Sequence, residues 1–412
     1  MVKPVELKPG HTLTFAGLYL FTVLLYFRPY ELSNSLSWTS SAAFILAMLT
    51  LLVYVPTQLS LEMTWSFRPR EVNLALLLIL MSLLSIPMAL DQTRSINATI
   101  DFAKVILIFV VMVNVVRTEK RLRMLVWLVL SASCVISGFA VNDYRLGRMT
   151  LAGERIQGVI GGIFSNPNDL ALHLVMIAPI AAALLFGTRN PAARLLYTAV
   201  IGLFVFGIIA TFSRGGFIGF VGVLAVFIWR AVRRYRVLVL SAGLCLVLGF
   251  LLLAPSDYFG NRISTSGDAS AMARKDELKR SLFLIFRHPF FGVGINNFLL
   301  YSNNEHATHN AYTQVGSELG VAAMTIYIML LVTTLRRIRK MHERFEGIKD
   351  SRERWFAIGL EASLIGYMIS SFFLSVAYLW YVYYLVGYAI CFDRITQAKL
   401  NAVSADSQYA HG

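Results

Sequence analysis

Runs of apolar residues long enough to cross about 30 Å of hydrocarbon as a helix recur along this whole chain. Nothing else in the sequence limits the fold as strongly. A segment inside a bilayer has no water to satisfy its backbone, and the runs lack the strict alternation of a β-barrel strand, so each must be a helix. The predicted spans are 11–27, 38–56, 72–90, 99–116, 122–142, 169–187, 193–212, 215–229, 236–254, 312–335, 355–374 and 376–392, about twelve in all. Composition agrees. The chain is 57% hydrophobic and 15% charged, against about 25% charged in soluble domains. That is too little polar side chain to clothe a soluble globule. The expected fold is an all-α, polytopic transmembrane helical bundle.

Lys and Arg orient the bundle. Alternate loops are basic: Arg68 and Arg70; Arg117, Lys120, Arg121 and Arg123; Arg189 and Arg194; Arg230 to Arg236; and the run from Arg336 to Arg354. By the positive-inside rule these loops and both termini are cytoplasmic. The formal net charge of +14 is then a topological signal, and no nucleic-acid partner is expected. Residues 11–27 follow Lys3 and Lys8 with no small-residue cleavage site before Arg28, so they read as a retained first span. Cys134, Cys245 and Cys391 sit in apolar runs without disulfide or metal spacing and read as packing residues. Residues 1–400 are expected to form one membrane domain, and 401–412 a disordered cytoplasmic tail.

On the opposite face only the loop 255–311 is long. Its segment 271–287 sets Leu278, Leu282 and Ile285 at helical spacing against Lys275, Lys279 and Arg280. That predicts an amphipathic helix lying on the outer membrane surface or over a cavity. Arginines that orientation does not require also fall on this face: Arg28, Arg94, Arg145, Arg148, Arg155, Arg214 and Arg274. Such a cluster suits a lipid-linked phosphate or pyrophosphate; the competing reading is snorkelling to headgroups. Arg214 stands out because Thr211-Phe-Ser-Arg-Gly-Gly216 joins two spans with almost no loop. The paired glycines predict a tight turn, and Gly215 with Gly219 close helix packing.

Asp101 and Lys104 are three residues apart on one helix face. They form either a structural ion pair or, through Lys104, part of a polar cavity. In Phe164-Ser-Asn-Pro-Asn-Asp169, capping accounts for one or two of Asn166, Asn168 and Asp169. Asn168 is left as a contact for sugar hydroxyls or phosphate. His309 ends the long loop, ahead of Asn310 and Tyr312, where an imidazole could take a proton from a hydroxyl. His306 competes with it, and Glu305 alone makes no metal site.

Four pieces together resemble the O-antigen ligase and O-antigen polymerase superfamily of bacterial membrane glycosyltransferases. They are Phe164-Ser-Asn-Pro-Asn-Asp-Leu-Ala171; Ser213-Arg-Gly-Gly216; Arg274 followed by His288-Pro-Phe-Phe-Gly-Val-Gly294; and His309-Asn-Ala-Tyr312 running on to Glu318-Leu-Gly320. The resemblance covers roughly 155 to 325. It implies transfer, on the periplasmic face of the bacterial inner membrane, of a glycan from undecaprenyl pyrophosphate. The acceptor would be lipid A-core in a ligase or another lipid-linked repeat unit in a polymerase. It implies an inverting reaction with neither metal nor cofactor, with Arg214 and Arg274 on the donor pyrophosphate and His309 as the catalytic residue. Arg28, Lys104, Arg145, Arg148, Asn168, Asn310 and Tyr312 are candidate cavity contacts. The expected function is O-antigen ligation. Repeat-unit polymerisation is the alternative within the class, and a lipid-linked sugar flippase the alternative outside it.

Overall fold

The computed structural model describes residues 10–28, 38–151, 155–156, 166–230, 237, 240–241, 243–244, 266–302, 307–345 and 351–410. Thirteen α-helices lie among them: α1 (Thr12–Phe27), α2 (Trp38–Glu62), α3 (Arg70–Ser85), α4 (Gln92–Val115), α5 (Glu119–Arg145), α6 (Pro167–Gly187), α7 (Pro191–Ala210), α8 (Arg214–Arg230), α9 (Ser266–Arg287), α10 (Ala311–Leu319), α11 (Val321–Arg344), α12 (Arg352–Ser370) and α13 (Trp380–Ala410). A two-stranded antiparallel ladder, β1 (Met149–Leu151) and β2 (Arg155–Ile156), is the one exception to the all-α expectation among these residues. Helix starts follow local chemistry. Side-chain oxygens of Asp91, Thr118, Asn166, Asn190, Asn310 and Ser351 accept from the first-turn N–H groups of α4, α5, α6, α7, α10 and α12. Pro167 and Pro191 occupy first turns, where a missing N–H costs nothing.

Eight of these helices are long and apolar enough to cross a membrane, and the molecule is an all-α membrane bundle. Helix α13 is not among the eight, because five tyrosines lower its hydropathy. It is nonetheless buried along almost its whole side-chain-defined length, packed on α4, α11, α12 and α5. Two of its tyrosines are tied down: Tyr383 Oη donates to the Ala377 carbonyl at 3.1 Å, and Tyr384 Oη pairs with Thr22 Oγ1 at 3.0 Å. Tyr327 and Tyr367 on α11 and α12 likewise meet at 2.6 Å. In a lipid-facing position these hydroxyls would go unsatisfied, so α13 packs inside.

Several expectations need correction. The span foreseen at 312–335 is two helices, because Gly320 (φ 91°) ends α10 and starts α11. A side chain at Gly320 would put its Cβ 2.3 Å from the Phe290 carbonyl oxygen. The break holds because the His288–Gly294 turn docks against it: Val321 N–H donates to the Pro289 carbonyl at 2.8 Å and Gly294 N–H to the Glu318 carbonyl at 2.9 Å. The expected amphipathic helix exists as α9, but its buried stripe is Glu277, Ser281, Leu284 and Ile285. Leu278, Leu282, Phe283 and Phe286 are exposed, so the apolar edge faces outward. Helix α13 itself runs to Ala410, and no Gly or Pro interrupts 401–410. The span 236–254 falls mostly outside the described residues, as does most of the loop before α9.

The basic loops gather at one end of the bundle. Arg337 grips Glu71 through two bonds of 2.8 Å and Asp393 through one of 2.5 Å. Arg344 adds a second contact to Asp393 at 2.7 Å. Glu361 takes both donors of Arg230 at 3.0 Å and one of Arg339 at 2.9 Å. Glu62 receives Arg117 at 2.9 Å and Arg394 at 2.6 Å. Acidic residues on α2, α3, α12 and α13 thus fasten the cationic ends of α4, α8 and α11 together.

Candidate functional site

At the other end, the chain reverses between α7 and α8 over Thr211–Ser213. Phe212, in the left-handed region at φ 48°, makes the turn, and not the glycine pair that the sequence suggested. The glycines instead admit neighbouring helices. A Cβ on Gly216 would lie 2.5 Å from that of Ala171 on α6, and one on Gly219 would lie 1.8 Å from Ser370 Oγ on α12. Ser213 Oγ caps α8 by accepting from Gly216 N–H at 3.2 Å and donates to Asn168 Oδ1 at 2.9 Å. Asn166 supplies the cap of α6, so Asn168 is free to tie α6 to this turn. Arg214 stands exposed on the first residue of α8. Among the described residues no acceptor engages its guanidinium. A cation at a helix N-terminus is disfavoured by the helix dipole, and together with the free N–H end it makes a seat for an anion.

Residues 370–377, between α12 and α13, join this turn to the His309 segment. Ser370 Oγ donates to the Gly215 carbonyl at 3.2 Å, and a Cβ on Gly215 would meet that of Phe373 at 2.8 Å. Ser371 Oγ donates to Tyr312 Oη at 3.4 Å, while the Tyr312 ring packs on Phe372 with centroids 4.5 Å apart. Ser375 Oγ accepts the His309 N–H at 2.8 Å and pairs with Thr308 Oγ1 at 2.8 Å. Sequence reasoning missed this segment, placing 370–374 within one span and 376–377 within the next. The available signal was three serines, Ser370, Ser371 and Ser375, amid apolar residues.

His309 is half-buried with φ 51°. A non-glycine residue held there is uncommon and costs about 1 kcal/mol or more, a strain that concentrates at functional positions. Asn310 is accounted for locally as the cap of α10, accepting from Tyr312 N–H at 2.9 Å and Thr313 N–H at 3.1 Å. Tyr312 Oη donates to the Met368 carbonyl at 2.8 Å. Both shape the His309 turn and spend their polar atoms doing so. Arg274 is half-buried on α9, about three helical turns before Ile285, against which Gly316 of α10 packs.

The remaining candidates are scattered. Arg28 caps the end of α1, its N–H donating to the Leu24 carbonyl at 3.0 Å. Arg145 is exposed at the end of α5, and Arg148 lies 3.8 Å from Asp143. Lys104 donates to Asp101 at 2.8 Å, both side chains largely exposed. That is the ion pair, one of the two arrangements the sequence allowed. The side chain of Arg155 and the whole of His306 lie outside what is described. Among the described residues no cluster of three His, Cys, Asp or Glu could hold a metal ion.

At the far end of α10 from His309, Glu318 is fully enclosed at the α10–α11 break. Burial pushes its carboxyl up to about 7, against the opposing pull of the Asn296 N–H, the Tyr378 hydroxyl, the Phe298 N–H and Arg94. The folded value lies above the ordinary 4.5, so the stabilisation it confers is complete below about 4.5 and is lost as pH rises through about 7. Glu318→Gln, which keeps the neutral shape, is expected to flatten the fall in melting temperature across that window. A Glu318→Gln profile parallel to wild type would show that the group is not buried in its neutral form.

A family model described as O-antigen ligase matches residues 198–328. The match runs from α7 into α11 and takes in Arg214, Arg274 and His309; the Asn168 segment precedes it. The chain is also similar to the teichuronic acid biosynthesis protein TuaE of Bacillus subtilis (strain 168), 22% identical over 297 residues, 64% of this chain. That stretch spans 59% of the relative's length. Both findings support the O-antigen ligase and polymerase superfamily, and with it glycan processing of that type in the membrane.

Proposed function

We propose that the protein transfers a glycan from an undecaprenyl-pyrophosphate carrier to an acceptor hydroxyl at the non-basic end of the bundle. The orientation that puts basic loops in the cytoplasm makes that end periplasmic. The observation that carries the reading is Arg214: exposed, unengaged among the described residues, and mounted on a helix packed too tightly to shift. Residues 370–377 connect that mount to His309. In the proposed reaction the acceptor oxygen attacks the anomeric carbon as His309 takes its proton. The bond from that carbon to the pyrophosphate oxygen breaks, with inversion. The leaving pyrophosphate carries its electron pair to Arg214 and Arg274, fixed cations in the role a divalent metal fills elsewhere.

The test is turnover of a lipid-linked glycan by the purified protein. Covalent product appears if the reading is right; transbilayer movement without product indicates a flippase. Arg214→Ala is expected to lower turnover by roughly 10²–10³-fold, the usual cost of one preorganised donor, with an unchanged melting temperature because the side chain is exposed. Arg214→Lys, which keeps charge but not the paired donors, should recover part of the loss.

Ligation to lipid A-core is the reading we put first. Polymerisation of lipid-linked repeat units is the second, favoured by one observation: the relative is named for teichuronic acid biosynthesis, not for O-antigen. In cells lacking the gene, uncapped core with glycan left on the carrier means ligase, and single repeat units on core mean polymerase.

A further inference from the structure

A cavity of about 260 Å³ opens at the basic end, between α5, α6, α7, α12 and α13. It is remote from the site above. Its walls are apolar, formed by Leu122, Val126, Leu184, Phe356, Phe392 and Ile395. Its mouth carries three cations, Arg123, Arg352 and Lys399, beside two carboxylates, Glu119 and Glu353. Glu119 lies between Lys399 and Arg123, taking only Nη2 of Arg123, at 2.5 Å, and leaving its other guanidinium nitrogens, among the described residues, open to a further acceptor. Among the described residues no carboxylate pairs with Arg352. At the lip Trp127 is 38% exposed, and its ring packs on Tyr197 with centroids 5.7 Å apart. Amphipathic rings of this kind mark the headgroup level of a bilayer.

We infer that this cavity binds an anionic glycerophospholipid, with its phosphate at Arg352 and Arg123 and the start of an acyl chain along the apolar wall. Three features select that class. The cavity is far larger than the ~30 Å³ of one water, and its apolar lining would leave a purely ionic ligand unsolvated on most sides. Its cations lie at the depth of the phosphates, where basic pockets between membrane helices collect acidic headgroups. A zwitterionic lipid would bring its own ammonium against Arg352, the cation of the mouth that no described carboxylate pairs with.

Brominated lipids quench nearby tryptophan. In mixed micelles, the quenching attributable to Trp127, obtained by difference from Trp127→Phe, is expected to saturate at lower mole fraction with brominated phosphatidylglycerol than with brominated phosphatidylcholine. Arg123→Gln and Arg352→Gln should each reduce that preference by roughly fivefold, the worth of one basic side chain near an acidic headgroup. Equal saturation by the two lipids overturns the inference. So does loss of the preference when soluble glycerol phosphate is added at the concentration of the lipid, which would mark a site for free anions. The two-lipid comparison on native protein stands even where an arginine variant fails to fold.

Discussion

Replacing His309 with alanine is expected to lower glycan transfer by roughly 10²–10⁴-fold, the range over which a positioned general base acts. The imidazole is half-buried, and its backbone is held left-handed by the bond from its N–H to Ser375 Oγ. That bond does not involve the ring, so the turn should persist in the variant and the melting temperature should change little. A purely structural histidine would behave differently: alanine would then lower stability and activity together. Added imidazole should restore part of the turnover in His309→Ala if a proton acceptor is what was lost. His306→Ala serves as the comparison, and full activity is expected there. Transfer at the native rate by His309→Ala would remove the residue from the chemistry while leaving Arg214 in place.

The largest effect on stability is expected from Arg337→Ala, at the other end of the bundle. Arg337 is the shared partner of two enclosed carboxylates, Glu71 at 1% and Asp393 at 6% exposure. Removing it strands Glu71 altogether, whereas Asp393 keeps Arg344. Breaking one side of a buried ion pair typically costs about 3–5 kcal/mol, because the remaining charge stays desolvated. Thermal unfolding in detergent should therefore show a clear drop. The second substitution Glu71→Gln, made on the Arg337→Ala background, should recover a large part of it, since the stranded charge is gone. If the two changes were simply additive, the pair would not be coupled and the account of this network would fail.

Much of the architecture was legible in the sequence because lipid is a simple solvent. Hydrocarbon penalises any unsatisfied backbone group, so an apolar run has one choice, and run length with loop charge then orders the helices. Serine, asparagine and proline at helix starts are equally local signals, as Asn166 and Asn310 show. The placing of Arg214 at a tight helix turn was also visible, since so short a connection leaves little freedom. Its mounting was misread. Neighbouring side chains of α6 and α12, distant in sequence, are what require Gly216 and Gly219.

By itself, then, the sequence determined the helical membrane class, the gathering of the basic loops at one end, and the pieces that carry arginine and histidine. Only the tertiary structure decided three things: that 312–335 breaks at Gly320, that the tyrosine-rich α13 lies inside, and that residues 370–377 join Arg214's turn to His309. The physical reason is the same for all three. Hydropathy reports how a segment exchanges water for lipid, one residue at a time. A helix break docked on a distant turn, a hydroxyl satisfied across two helices and a serine bonded to a remote backbone are exchanges of one protein surface for another. They depend on partners that sequence distance does not reveal.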